Sequence, residues 1–330
     1  MSEPRFRTPM TELFGIERPI LAGGLMWLAD ANYVAGVVNA GCMGFITAKT
    51  FPDAGAFRAE LQKAGDLTGG RPFGVNLYMS IHQDDTELIS GHIDILLEAG
   101  VRFIETSGLP PKAVLPRLKE AGCTVMHKVA SVRHALSAAR LDVDAVAVVG
   151  AECGGHPGLQ MIGSMVQGLK AAKAVGKPVA LGGGFGHGAQ LVAALALGAD
   201  AILIGTRFLV ADEIWAHPAY KDRLVEASET DTRVIMASFR NTYRAMDNEA
   251  ARAVEALETD GVQDFDAYRP IVQGTEQKAA YETGDWNRGV LSMGQSVAFA
   301  DEVKPVAEII AQLMAEADEA LGRLGEVRGA

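Results

Sequence analysis

Leu197-Gly198-Ala199-Asp200-Ala201-Ile202-Leu203-Ile204-Gly205-Thr206 carries an apolar helix pattern through a glycine into a short apolar run that closes on a second glycine. Glycine is favoured just past a helix because the residue there often takes a left-handed backbone that costs other residues a Cβ clash. The same join recurs upstream, at Asn39-Ala40-Gly41 before Gly44 to Ala48, Glu98-Ala99-Gly100 before Val101 to Thr106, and Glu120-Ala121-Gly122 before Cys123 to Val129. The runs that follow are continuously apolar and do not alternate, as expected of parallel strands covered by helices on both sides.

Reading outward, strands are expected near Pro19 to Ala22, Gly44 to Ala48, Phe73 to Tyr78, Arg102 to Thr106, Cys123 to Val129, Ala145 to Val149, Pro178 to Leu181 and Ala201 to Ile204. Helical patterns fill the gaps at Asp30 to Asn39, Asp53 to Lys63, Thr86 to Glu98, Pro111 to Glu120, Ser131 to Ala139, Met161 to Val175 and Ala189 to Leu197. Such alternation predicts an α/β fold of the (β/α)8 TIM-barrel type; an open doubly wound sheet would carry a Gly-x-Gly-x-x-Gly turn after its first strand, and none follows here. After Thr206 the rhythm stops. The expected organisation is a barrel over residues 1–212, a smaller helical insertion on the substrate side over 213–286, and a C-terminal helix over 287–330 that returns to the barrel.

Composition narrows the function. With 330 residues, 48% of them hydrophobic, the chain can bury a large core. A net charge of -11 argues against nucleic acid and anionic membrane as partners, because both need a basic face, and points to a small molecule. Cys42, Cys123 and Cys153 have no metal-ligand spacing, so neither a disulfide framework nor a metal site is expected. No targeting segment or membrane span is legible, and a cytoplasmic location is expected.

In barrels of this type the chemistry gathers at the C-terminal strand ends. Those ends read Gly23-Gly24-Leu25-Met26, Asn76, Glu105-Thr106-Ser107-Gly108, His127-Lys128, Glu152-Cys153-Gly154-Gly155-His156, Gly182-Gly183-Gly184 and Gly205-Thr206. The glycines at the seventh and eighth ends suit phosphate, with backbone N–H groups and a helix N-terminus facing the anion, although a tight turn alone would also explain them. His156 follows two glycines that leave its ring uncrowded, which suits a proton acceptor. Lys128 ends an apolar strand and is expected to project inward, to neutralise a cofactor's electron-rich edge or to form a Schiff base. His82, His92, His134 and His217 read as structural, and His187 could face either the phosphate or solvent.

These residues carry a resemblance. From about Phe14 to Leu324 the chain is similar to the nitronate monooxygenases, also called 2-nitropropane dioxygenases, through Pro19 to Leu25, Pro72 to Leu77, Glu152 to Gly158, Leu181 to Phe185, and Ala193 to Ala201 leading into Gly205-Thr206-Arg207-Phe208. The resemblance implies FMN as cofactor, with Gly23, Gly24 and Met26 lining the flavin, Asn76 and Lys128 bonding its ring, and Gly182, Gly183, Gly205 and Thr206 holding the phosphate. Glu152, Gly155 and Gly184 in the same loops complete the expected cofactor-binding set, and His156 falls on the family's catalytic histidine. The implied reaction is oxidation of an alkyl nitronate with O2 to a carbonyl compound and nitrite.

Where many relatives carry Gly-x-Asp-Gly-Arg after the seventh strand, this chain has Gly184-Phe185-Gly186-His187-Gly188-Ala189, which removes an acid and a cation beside the phosphate. A sibling group, the NAD(P)H:quinone reductases, shares His127-Lys128, Glu152-Cys153, His156-Pro157-Gly158 and Arg240-Asn241-Thr242, but differs in the loop Met79 to Asp85. Nitronate oxidation is therefore the first reading, quinone reduction the second, and flavin-dependent enoyl-thioester reduction the third. Use of NAD(P)H and homo-oligomerisation are left open.

Overall fold

The computed structural model describes residues 6–80 and 83–329, the side chains of 83–85 excepted. His82, and with it much of the loop that separates the two oxidoreductase readings, lies outside them. Eight strands, β1 (Ile20–Ala22), β2 (Met43–Thr47), β3 (Gly74–Met79), β4 (Phe103–Gly108), β5 (Thr124–Val129), β6 (Ala145–Val149), β7 (Val179–Gly182) and β8 (Ala201–Ile204), pair in parallel in chain order. Pairing of Ile20 with Ile202 and Ala22 with Ile204 closes the barrel. The expected (β/α)8 fold is the observed one.

Ahead of the barrel, α1 (Pro9–Phe14) is a helix that the strand-to-helix rhythm does not reveal. Its Met10 and Phe14 join the barrel interior, where Phe14 meets Phe45 edge-on at 6.0 Å and lies 5.5 Å from Phe103. Thr8 Oγ1 donates to Asp200 O, just before β8, at 2.7 Å. The helix thus plugs the end of the barrel where the strands begin. Inside, the small Ala145, Ala147, Ala180 and Ala201 pack in one buried cluster with the larger Phe45, Met126 and Leu21.

The outer ring is α2 (Ala31–Asn39), α3 (Ala54–Leu67), α4 (Gln83–Glu98), α5 (Leu115–Glu120), α6 (Val132–Ala139), α7 (Ser164–Ala174) and α8 (Gly188–Ala196). Beyond β8 come α9 (Pro218–Val225), an antiparallel pair β9 (Thr232–Ile235) and β10 (Tyr243–Met246), α10 (Glu249–Thr259), α11 (Phe265–Val272) and α12 (Gly274–Thr283). The hairpin differs from the all-helical expectation. Met236 and Arg240, not glycines, take the positive φ of its turn, at 63° and 54°, so no turn signature marks it in sequence. Finally α13 (Val306–Arg328) buries Val306, Ile309, Ile310, Leu313, Met314 and Ala317, a stripe at helical spacing, and packs against α8 and α2. It fills the gap left in the helical ring. Among the described residues no helix is long and apolar enough to cross a membrane.

Candidate active site

Because strand side chains alternate, residues two apart share a face, and Asn76, Glu105 and Lys128 all follow inward-facing neighbours in the barrel. They form one polar layer above the apolar interior. Glu105 is fully buried, its carboxylate paired with Lys128 Nζ, and its Oε2 accepts from Gly24 N–H at 3.2 Å. Asn76 Nδ2 is buried without a hydrogen-bond partner. Gly24 lies so close above that a Cβ would stand 2.6 Å from the Asn76 Cβ and 2.9 Å from Thr47 Oγ1. Only glycine lets the first loop lie across this layer. Thr106 and His127 point the other way, into the helical shell, where Thr106 Oγ1 and His127 Nδ1 are 2.9 Å apart and burial pushes the His127 pKa down to about 4.

His156 is placed by the insertion. Gly155 exchanges two backbone hydrogen bonds with Arg244 on β10, at 2.9 Å and 2.6 Å, while the Arg244 guanidinium donates to Ala151 O and Thr232 Oγ1. That pairing brings Thr242 O to 3.2 Å from His156 Nδ1 and the Tyr243 ring to 4.9 Å from the imidazole, edge to face. Tyr243 in turn bonds Ser292 Oγ through its hydroxyl. A carbonyl can only accept, so Nδ1 carries the hydrogen and Nε2 keeps a free lone pair. Burial lowers the pKa of His156, against a smaller upward pull from the Thr242 carbonyl. The ring is thereby a neutral base.

Gly183 and Gly184 have φ of 91° and 80°, and a Cβ on Gly183 would sit 2.8 Å from Gly150 N. The short 3-10 helix Thr206–Val210 starts at Gly205 with no side-chain cap. By contrast, the N-terminus of α8 is already occupied by protein. His187 caps it through Nδ1, accepting from Ala189 N–H at 3.1 Å, Glu316 of α13 accepts from Gly188 N–H at 2.7 Å, and Gln190 Oε1 accepts from Gly186 and His187. The amides at the start of α8 are thus engaged by the chain itself, which leaves the backbone at Gly183-Gly184 and Gly205-Thr206 as the candidate for an anion.

Glu152, expected among the cofactor ligands, turns its carboxylate to the start of α7, where it accepts from Ser164 N–H at 3.0 Å and from Ser164 Oγ at 2.8 Å. Its backbone oxygen accepts from Gln295 N–H, and Gly294 N–H donates to Thr206 Oγ1 at 3.0 Å. The segment before α13 is thus laced to the loops after β6 and β8. Beside them a cavity of about 430 Å³ opens between Ser164, Gly183, Gly184, Phe185 and Phe299. Met26 sits half-buried in the turn after β1. The Cys153 thiol, beside the proposed base, is pushed up to about 12 by burial, which leaves it a poor nucleophile.

Gly23, Gly24, Asn76, Lys128, His156 and the glycines at β7 and β8 therefore share one end of the barrel. The polar layer fits a flavin: Asn76 offers an unsatisfied donor, Lys128 a cation, Gly23 and Gly24 a floor free of side chains. The sequence places Glu105 at the end of the fourth strand, as a charge within an apolar run, but does not show its pairing with Lys128. Thr242 stands in sequence only within Arg240-Asn241-Thr242, and Tyr243 and Glu316 leave no local signal; the fold brings Thr242 to His156 across 86 residues of chain, and Glu316 comes from a different helix.

The family model described as nitronate monooxygenase matches residues 7–316. A (3aS,4S,5R,7aS)-5-hydroxy-7a-methyl-1-oxo-octahydro-1H-indene-4-carboxyl-CoA dehydrogenase of Mycobacterium tuberculosis is 32% identical over 76% of this chain and 69% of that protein. Among solved structures, FabK from Thermotoga maritima superposes with a TM-score of 0.89 at 31% identity, covering 98% of this chain and 99% of its own. Nitroalkane oxidase from Streptomyces ansochromogenes gives 0.78 at 26% identity, covering 96% and 100%.

Proposed function

The chain belongs to the nitronate monooxygenase family, and from that premise we propose that it is an FMN-dependent oxidoreductase of carbon acids, with an alkyl nitronate and O2 as first substrates and His156 as its base. Asn76 and Lys128 would bond the FMN ring over the floor of Gly23, Gly24 and Met26, with Gly182, Gly183, Gly184, Gly205 and Thr206 around the phosphate and Gly155 and Glu152 framing the loop beside it. When bound, FMN supplies the electron acceptor. The observation that carries the reading is the bond from His156 Nδ1 to Thr242 O, which leaves Nε2 as an unprotonated nitrogen in a desolvated place. Such a nitrogen takes a proton from the carbon next to a nitro group; a proton donor would need the imidazolium that burial disfavours. Tyr243 walls the ring on one side and keeps it from turning.

A second reading has its own support. The 32% identical relative is named for a carboxyl-CoA substrate, and the carbon beside a thioester carbonyl is also an acid that a neutral histidine can deprotonate. The nitronate remains first, because the family model and the nitroalkane oxidase structure both point to nitro compounds.

His156→Ala is expected to lower turnover of a neutral nitroalkane about 10²-fold or more while FMN stays bound, and to cost less with the preformed nitronate, whose proton is already gone. In the native enzyme kcat/KM for the neutral nitroalkane should fall with acid only below the ordinary histidine pKa, since the neutral form is the active one. Unchanged turnover in His156→Ala would remove this residue from the mechanism.

A further inference from the structure

Lys128 does not stand alone at the top of the barrel. Glu105 projects from the neighbouring strand into the same layer and is fully buried, one carboxylate oxygen on Lys128 Nζ and the other accepting from Gly24 N–H. A buried carboxylate is costly unless it is both paired and hydrogen-bonded, and here it is both. Of the two groups it holds, Gly24 lies against the unsatisfied Asn76 amide, and Asn76 itself sits beside Glu105 on the neighbouring strand, on the floor where a flat ring would lie. The apolar barrel beneath screens charge poorly, so the sum of the lysine and glutamate charges is felt directly above.

We propose that Glu105 is a positioning residue that fixes Lys128 Nζ and Gly24 N–H beneath the cofactor ring and offsets part of the lysine's charge, and so sets how readily the bound ring accepts negative charge. The inference rests on the FMN reading above. Without the carboxylate, Lys128 is left as an uncompensated cation in a poorly screened place, and anionic forms of the ring are favoured. The ammonium paired with Glu105 also gives no support to a Schiff-base role for Lys128, which needs the neutral amine.

Sulfite tests this in the FMN-loaded full chain, because it adds to oxidised flavin with an affinity that rises as positive charge near the ring increases, and needs no turnover. Glu105→Gln is expected to bind sulfite at least about tenfold more tightly than the native protein. Glu105→Asp, which keeps the charge but draws it back by one methylene, should move the same way by less, and carries the test if the glutamine variant does not fold. In a Lys128→Met background the effect of Glu105→Gln should be smaller, because a buried carboxylate that has lost its ammonium partner tends to take up a proton and leaves less charge to remove. Sulfite affinity within about twofold of native in both Glu105 variants, with flavin retained, would overturn the inference. So would an undiminished effect in Lys128→Met, or loss of flavin from both Glu105 variants. A native protein that cannot be loaded with FMN would overturn the cofactor reading as well, and so separates the two failures.

Discussion

His127 on β5 and His156 in the loop after the adjacent β6 are both kept neutral by burial, yet they face opposite ways. His156 opens to the site; His127 lies in the shell, held to Thr106. For His127 the consequence is stability. Its folded pKa, about 4, lies below the ordinary value of 6.5, so the unfolded chain takes up the proton first as pH falls. Its contribution is fully present above pH 6.5 and is lost between there and about 4, on the order of 3 kcal/mol. Chemical denaturation at pH 7 and pH 4.5 should show a smaller acid loss for His127→Gln than for the native chain, and an identical loss in both would contradict this account. At this scale the sequence shows a residue's place on a strand but not its partner. Asn76 and Lys128 are legible as polar groups ending apolar runs, whereas the Thr242 carbonyl that fixes the His156 tautomer is not, because an insertion carries it in.

Helices α8 and α13 touch more closely than side chains allow. A Cβ on Gly188 would lie 2.0 Å from Leu313 O and 2.4 Å from Ala317 N, both backbone atoms that no rotamer change can move. Gly188→Ala must push the helices apart and break the Glu316 cap, and is expected to cost about 2–4 kcal/mol, seen as a lowered denaturation midpoint. Gly65→Ala makes the same change inside α3, where nothing lies within 4 Å, and should instead stabilise by about 0.5–1 kcal/mol. Equal effects would show that helix propensity, not packing, governs Gly188. The barrel elements were readable because glycine ends, continuous apolar strands and amphipathic helices each leave a local pattern. The β9–β10 hairpin leaves none, and neither does His187, which replaces the relatives' acid and proves to be a helix cap, with Glu316 bringing a carboxylate to the same helix end from α13.

Taken whole, the chain is a barrel plugged at one end by α1 and dressed at the other by the insertion after β8, with α13 completing the helical ring. The insertion has its own apolar cluster around Ile235, Val254 and Tyr268, reaches back through β10 to hold the His156 loop, and is followed by a segment bonded to Thr206 after β8. The barrel and the set of strand ends that share one end of it are thus legible from local patterns, while the closure of the candidate site depends on contacts between distant segments. The most direct test of the central claim is an anaerobic titration of the purified, FMN-loaded protein, followed by visible absorbance. The account predicts that propyl nitronate bleaches the flavin bands, that air restores them with release of nitrite, and that NADH and NADPH leave them unchanged. Rapid bleaching by NADH or NADPH, with nitronate inert, would contradict it and make the protein a reductase.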